Sequence, residues 1–145
     1  MYMSKRLYIA GPMRGIPQYN FPAFDAARDK AIALGWDAVS PADLDRANGF
    51  DVNKFDVNKP VPEQLLREMI GRDVQEILRC DAIALLPGWQ NSSGARVEIC
   101  LALFCDMPIL SAETFEPLLL EVGATDFTFC VRRRFGRRTF PYDDI

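Results

Sequence analysis

Along the chain, short apolar runs alternate with longer amphipathic stretches, the order expected of strands and helices built around a mainly parallel sheet. Leu7-Tyr8-Ile9-Ala10 reads as the first strand, stopped by Gly11-Pro12. Asn20 as N-cap and Pro22 in the first turn open a helix to Leu34, and Gly35 can take the left-handed conformation that ends it. Residues 36–39 follow as a second strand, 62–79 as a long helix, 82–86 as a third strand and 95–104 as another helix. The pattern then predicts a fourth strand at 108–110, a short helix at 114–121 and a fifth strand at 127–131.

The stretch 42–59 breaks this rhythm. It is polar, shows no periodicity and contains Phe-Asp-Val-Asn-Lys twice, at 50–54 and 55–59, so 42–61 reads as one long loop. Two readings stand open: a lid over a site, which the paired Phe50 and Phe55 would suit, or a tolerated surface expansion.

Composition narrows the class. With 145 residues, 49% hydrophobic and 26% charged, residues 1–145 form a single globular domain rather than a disordered, collagen-like or coiled-coil chain. No apolar run reaches the ~18 residues a membrane helix needs. The N-terminal residues lead straight into a strand pattern rather than a cleavable signal, which predicts a cytoplasmic protein. A net charge of -3 gives no global pull towards nucleic acid or acidic membranes.

The chain has no histidine, which removes imidazole bases, Ser-His and Cys-His pairs and His-ligated zinc. Cys80, Cys100, Cys105 and Cys130 show no C-x-x-C spacing and three lie in apolar stretches, so buried reduced thiols are expected, with no metal and no cofactor. Chemistry must rest on carboxylates, hydroxyls, arginine and backbone amides.

Two carboxylates fall where apolar residues belong. Asp73 lies on the stripe of Leu66, Met69, Ile70, Val74 and Ile77, where it must meet either the interior or a cleft. A salt bridge with Arg72 or Arg96 is the structural explanation, and a functional carboxylate is the other. Glu98 sits among Ala95, Val97, Ile99, Cys100, Leu101, Ala102, Leu103 and Phe104, a helix with almost no polar face. Such a helix is buried on every side, which predicts a second subunit near Glu98 and a raised carboxyl pKa.

Two loops add donors for an anion. Residues 86–94 follow a strand end and lead into that helix, whose free N–H groups and Ser92 or Ser93 hydroxyls suit a negative group, although Ser-Ser-Gly is also an ordinary cap. The first strand ends in Gly11-Pro12-Met13-Arg14-Gly15, where Arg14 supplies a phosphate-compatible fork. With strand order 2-1-3-4-5 the two loops share one sheet edge. Trp89, beside the second loop, is placed either to stack on a base or to pack at the rim.

At these residues the chain resembles the nucleoside 2-deoxyribosyltransferase-like superfamily, including the 2'-deoxynucleoside 5'-monophosphate N-hydrolases and small phage- or prophage-associated relatives. The matching segments are Tyr8-Ile9-Ala10-Gly11-Pro12-Met13-Arg14-Gly15, Arg72-Asp73 with Leu78-Arg79-Cys80-Asp81-Ala82-Ile83, and 92–102 with Gly94 and Glu98. The resemblance implies a flavodoxin-like three-layer sandwich with a five-stranded sheet in the order 2-1-3-4-5. It also implies a homodimer or larger assembly with composite active sites. In it Glu98 is the nucleophile at the anomeric carbon, Asp73 assists protonation of the departing base or holds base or sugar, and Tyr8 orients Glu98. Arg14 and Ser92 occupy the 5'-phosphate positions of the monophosphate-cleaving branch, so the implied partner is a small-molecule nucleotide.

The expected activity is therefore N-glycosidic bond cleavage, by hydrolysis or deoxyribosyl transfer, on a deoxynucleoside 5'-monophosphate. The alternative is a nucleotide-binding or sensing module without turnover. The tail 132–145 carries five arginines between 132 and 138, but Asp143 and Asp144 follow and the whole chain is acidic. A solvated tail or subunit contact is favoured there over a nucleic-acid arm.

Overall fold

The computed structural model describes residues 4–118 and Leu120. Four parallel strands, β1 (Arg6–Ala10), β2 (Asp37–Val39), β3 (Ala82–Leu85) and β4 (Ile109–Ser111), form a sheet in the order β2-β1-β3-β4. Four α-helices accompany them: α1 (Phe21–Ala33), α2 (Pro41–Ala47), α3 (Glu63–Leu78) and α4 (Ser93–Phe104). Predicted boundaries of the regular elements shift by one or two residues, as fraying ends usually do. The fifth strand expected at 127–131 and the arginine-rich tail lie outside the described residues.

Alternation along the strands divides the core into two layers. Tyr8, Ala10, Ile83, Leu85 and Ile109 meet Ile77 of α3 and Ile99, Ala102 and Leu103 of α4. Leu7, Ile9, Ala82, Ala84 and Leu110 face the opposite side, against Phe24, Ala27 and Ala31 of α1. Both faces of β1 and β3 are therefore covered, which is why these strands read as unbroken apolar runs rather than alternating ones. Each fully buried side chain of this kind, such as Ile9 or Ile83, contributes roughly 1.5–3 kcal/mol.

Four expectations need correction. The stretch 42–61 is not one loop, because α2 occupies its start: Pro41 presets the first helical residue and Asp43 complements the positive helix end. The rest is also ordered. The two Phe-Asp-Val-Asn-Lys copies repeat one turn, in which Asp51 accepts from the Asn53 N–H at 2.9 Å and Asp56 from the Asn58 N–H at 3.0 Å.

The helix expected from Thr114 is absent among the described residues. Phe115 has φ 57°, Pro117 has no N–H to give a helix, and the chain doubles back along β4. The Leu118 N–H donates to the Ile109 carbonyl and the Ser111 N–H to the Glu116 carbonyl, each at 2.9 Å.

Asn20 does precede α1, but it is left-handed and its side chain does not cap the helix; Nδ2 donates instead to the Pro12 carbonyl at 2.8 Å. Gly35, with φ 93°, ends α1 as expected. In the single chain α4 buries Ala95, Ile99, Ala102 and Leu103 and leaves Val97 and Phe104 about three-fifths exposed. Finally, Cys80, Cys100 and Cys105 form no disulfide among the described residues, but Cys105 is exposed and Cys80 and Cys100 are only half-buried. Cys130 lies outside the described residues.

Candidate active site

β1 and β3 pair directly, so the loops after them leave the same sheet edge, the usual ligand edge of an open parallel sheet. The Leu86 N–H donates to the Ala10 carbonyl at 2.8 Å, and the loops approach so closely that a Cβ on Gly11 would sit 2.6 Å from the Leu86 Cβ. Glycine at 11 is therefore a packing requirement. Three consecutive left-handed residues, Gln18, Tyr19 and Asn20, then precede α1. This strained run leaves Tyr19 buried, with its hydroxyl donating to the Asp56 carbonyl at 3.3 Å.

A cavity of about 390 Å³ opens at this edge, bordered by Gly11, Met13 and Arg14 from the first loop and by Ser92 and Gly94 from the second. Its size suits a small organic ligand. Asp73 and Glu98 both border it, with Leu66, Met69, Ile70 and Val74 of α3 as an apolar wall. The apolar stripe read from the periodicity thus faces the cavity for most of its length, and of these helix residues only Ile77 is fully buried.

The two carboxylates differ in their partners. Asp73 accepts from Arg72 at 2.7 Å, and the same guanidinium reaches Asp45 at 2.6 Å. Asp45, on α2, is 2% exposed and also borders the cavity. Burial pushes the Asp73 carboxyl up to about 6, with Arg72 opposing the shift. Asp45 is also raised by burial and held back by Arg72.

Glu98 has no arginine in an ion pair among the described residues, and burial raises it to about 8, with the Asp73 charge adding to the shift. Its Oε2 and the Tyr8 hydroxyl are both buried, and neither completes a hydrogen bond of good geometry among the described residues. The phenol is near enough for its donor character to favour the Glu98 carboxylate, and burial first, then Glu98, holds the Tyr8 hydroxyl well above its ordinary range.

At neutral pH the pair therefore carries about one proton and one charge. Its affinities run opposite to the roles the resemblance implies, since Glu98 holds its proton more tightly than Asp73. Ser92 caps α4, its Oγ accepting from the Ala95 N–H at 3.2 Å, and the helix start it fixes borders the cavity. Arg14 is exposed at the rim and in no ion pair among the described residues. Among those residues no cluster of three or more acidic or cysteine side chains is arranged to hold a metal ion.

Three expected site residues do not border the cavity. The Gly15 N–H donates to the Val57 carbonyl at 3.0 Å, and Trp89 packs against the core on the α4 side. Tyr8 stands behind Glu98 rather than at the wall.

A family model described as a domain of unknown function, DUF4406, matches residues 5–111. The chain belongs to the DUF4406 family. The match runs from β1 to β4, so Tyr8, Asp73, Glu98 and both cavity loops lie inside it. No curated protein matches this DUF4406 chain.

The DUF4406 cavity also contains residues that the pattern did not single out as site residues, chiefly Asp45, Tyr19 and Asn91. Asp45 lies on a seven-residue helix without apolar periodicity, and its only signal was an acid close to Ala42 in an otherwise polar stretch. Phe50 was visible through the repeat, and it borders the cavity as a wall packed on the core rather than as a detached lid.

Proposed function

We propose that this chain breaks the N-glycosidic bond of a deoxynucleoside 5'-monophosphate, with Glu98 as nucleophile, Asp73 as its acid partner and Tyr8 orienting Glu98. The observation that carries this reading is that two carboxyls, Asp73 and Glu98, border a cavity whose loop side supplies Arg14, Ser92 and the α4 start, groups that favour an anion.

In the reacting pair the proton resides on Asp73 and the charge on Glu98, an arrangement that the positive charge growing on the sugar favours. The C1'–N bond breaks with its electron pair leaving on the base. A Glu98 oxygen forms the new bond to C1', and Asp73 gives its proton to the base. Water then attacks C1', returns a proton to Asp73 and releases deoxyribose 5-phosphate and Glu98; a second base in place of water makes the step a transfer. The chain's own carboxyls supply both the nucleophile and the acid.

The same reading includes the five-stranded flavodoxin-like sandwich and a homodimer. Ile70 and Val97, at the cavity border, are 47% and 59% exposed, and a second copy over α3 and α4 would cover them and complete the site.

One observation favours a second reading, a nucleotide-binding module without turnover. A pKa of about 8 leaves only about one Glu98 in ten ionised at pH 7 before ligand enters. The test is chromatographic release of free base from a panel of deoxynucleoside monophosphates, run beside Glu98→Ala. Release by the wild type and none by the variant supports cleavage. Binding that raises the melting temperature while the nucleotide stays intact supports the module, and neither release nor binding ends both readings.

A further inference from the structure

The tandem repeat is the feature the reaction does not use. Its first copy places Phe50 at the cavity border, and Phe55 of the second copy stacks on that ring, centroids 4.7 Å apart and planes 11° from parallel. Tyr19 meets Phe50 edge-on at 5.4 Å and 82°, and Phe21 lies 6.2 Å away at 45°. Phe50, Val52, Phe55 and Val57 pack on the same core layer as α1, so both copies are anchored.

The second copy has a further link. Its Asp56 and Val57 carbonyls accept from the Tyr19 hydroxyl and the Gly15 N–H, tying it to the segment that carries Arg14. An aromatic side chain fixed by three other rings offers a rigid surface with little ordering entropy left to lose, which suits a flat π-system.

We propose that the tandem block is the heterocycle-binding wall of this cavity: Phe50 of the first copy touches the flat ring of the ligand, and the second copy, through Phe55, Asp56 and Val57, holds that wall to the Arg14 loop. The inference rests on the nucleotide reading above and adds which residues recognise the base. It divides the ligand physically. The base is held by contact with an aromatic ring, which every base can provide, whereas the sugar phosphate is held by charge and hydrogen bonds.

The test measures binding in the Glu98→Gln background, so that no ligand is consumed, with two probes: deoxynucleoside monophosphates and base-free 2-deoxyribose 5-phosphate. Phe50→Leu is expected to weaken every nucleotide roughly tenfold or more. The same variant should leave the base-free probe within about twofold, and Phe50→Tyr should restore nucleotide binding.

Phe50→Trp gives an independent readout if the leucine variant folds poorly: the introduced indole should be quenched by nucleotide beyond the wild-type change and not by the base-free probe. Equal weakening of both probes, no weakening of either, or no added quenching overturns the wall. Failure of the parent Glu98→Gln protein to bind any nucleotide overturns the nucleotide reading together with it.

Discussion

Asp73 and Glu98 border one cavity and are both pushed up by burial, but different groups stand beside them. At the Asp73 end a single guanidinium spans two carboxylates, Asp45 and Asp73, and holds back the rise to about 6. At the Glu98 end a buried phenol and an apolar helix leave the carboxyl at about 8. Burial raises both acids; Arg72 holds Asp73 back, whereas the Asp73 charge lifts Glu98 further. A pair split in this way holds one proton across the neutral range, the condition that acid and nucleophilic work in the same step requires.

The largest expected effect comes from removing the group that holds Asp73 back. Arg72→Met leaves Asp45 and Asp73 without their shared cation, and loss of one partner of such a buried pair costs about 3–5 kcal/mol, readable as a lower urea midpoint. Adding Asp45→Asn should recover part of that loss, because one of the two stranded charges is gone. If Arg72→Met unfolds at the wild-type midpoint, the clamp is only a surface contact.

The contrast between the two ends also predicts a bell-shaped pH dependence of base release, with limbs near 6 and 8. Below the lower limb both carboxyls are protonated and no nucleophile remains; above the upper limb both are ionised and no acid remains. Tyr8→Phe removes a donor that lowers Glu98, so the upper limb should move to higher pH. An upper limb that stays in place would separate Tyr8 from Glu98.

Much of this site was legible in the residues themselves. An acid inside an apolar helix and another on an apolar stripe must either be neutralised or face a hollow, and that reasoning reached Glu98 and Asp73 and named Arg72 as a partner. It could not show that the α3 stripe lines a cavity, because a helix face reads the same whether it meets a core or a cleft. Asp45 stayed hidden because α2 is too short to show a period. The helix expected from Thr114 failed because a left-handed Phe115 is not written in any pattern of polarity.

The fold was legible where tertiary burial and local signals agreed: Gly35 ended α1, and the apolar runs of β1 and β3 took the central places. Asn20 shows the opposite. Its amide found the Pro12 carbonyl, a contact eight residues back that competed successfully with the local cap.

A smaller effect on stability sharpens the comparison further. Both folded pKa values lie above those of an unfolded chain, near 3.8 for Asp73 and 4.5 for Glu98, so the folded state binds more protons between these limits. Their contribution is fully present below the unfolded values and is lost as pH rises through about 6 for Asp73 and about 8 for Glu98. Melting temperature should therefore fall between pH 5 and 9, which spans about that range. Glu98→Gln should flatten the decline at its alkaline end, whereas Asp73→Asn should flatten it at lower pH. A variant profile parallel to the wild type would mean that the mutated carboxyl is not the group losing its proton.

The most direct test of the central claim is mass spectrometry of the chain, acid-quenched during turnover of a deoxynucleoside monophosphate. The account predicts a gain equal to one dehydrated deoxyribose phosphate on the peptide containing Glu98, absent from Glu98→Gln. Base release that continues in Glu98→Gln, with no such adduct in either protein, would contradict it.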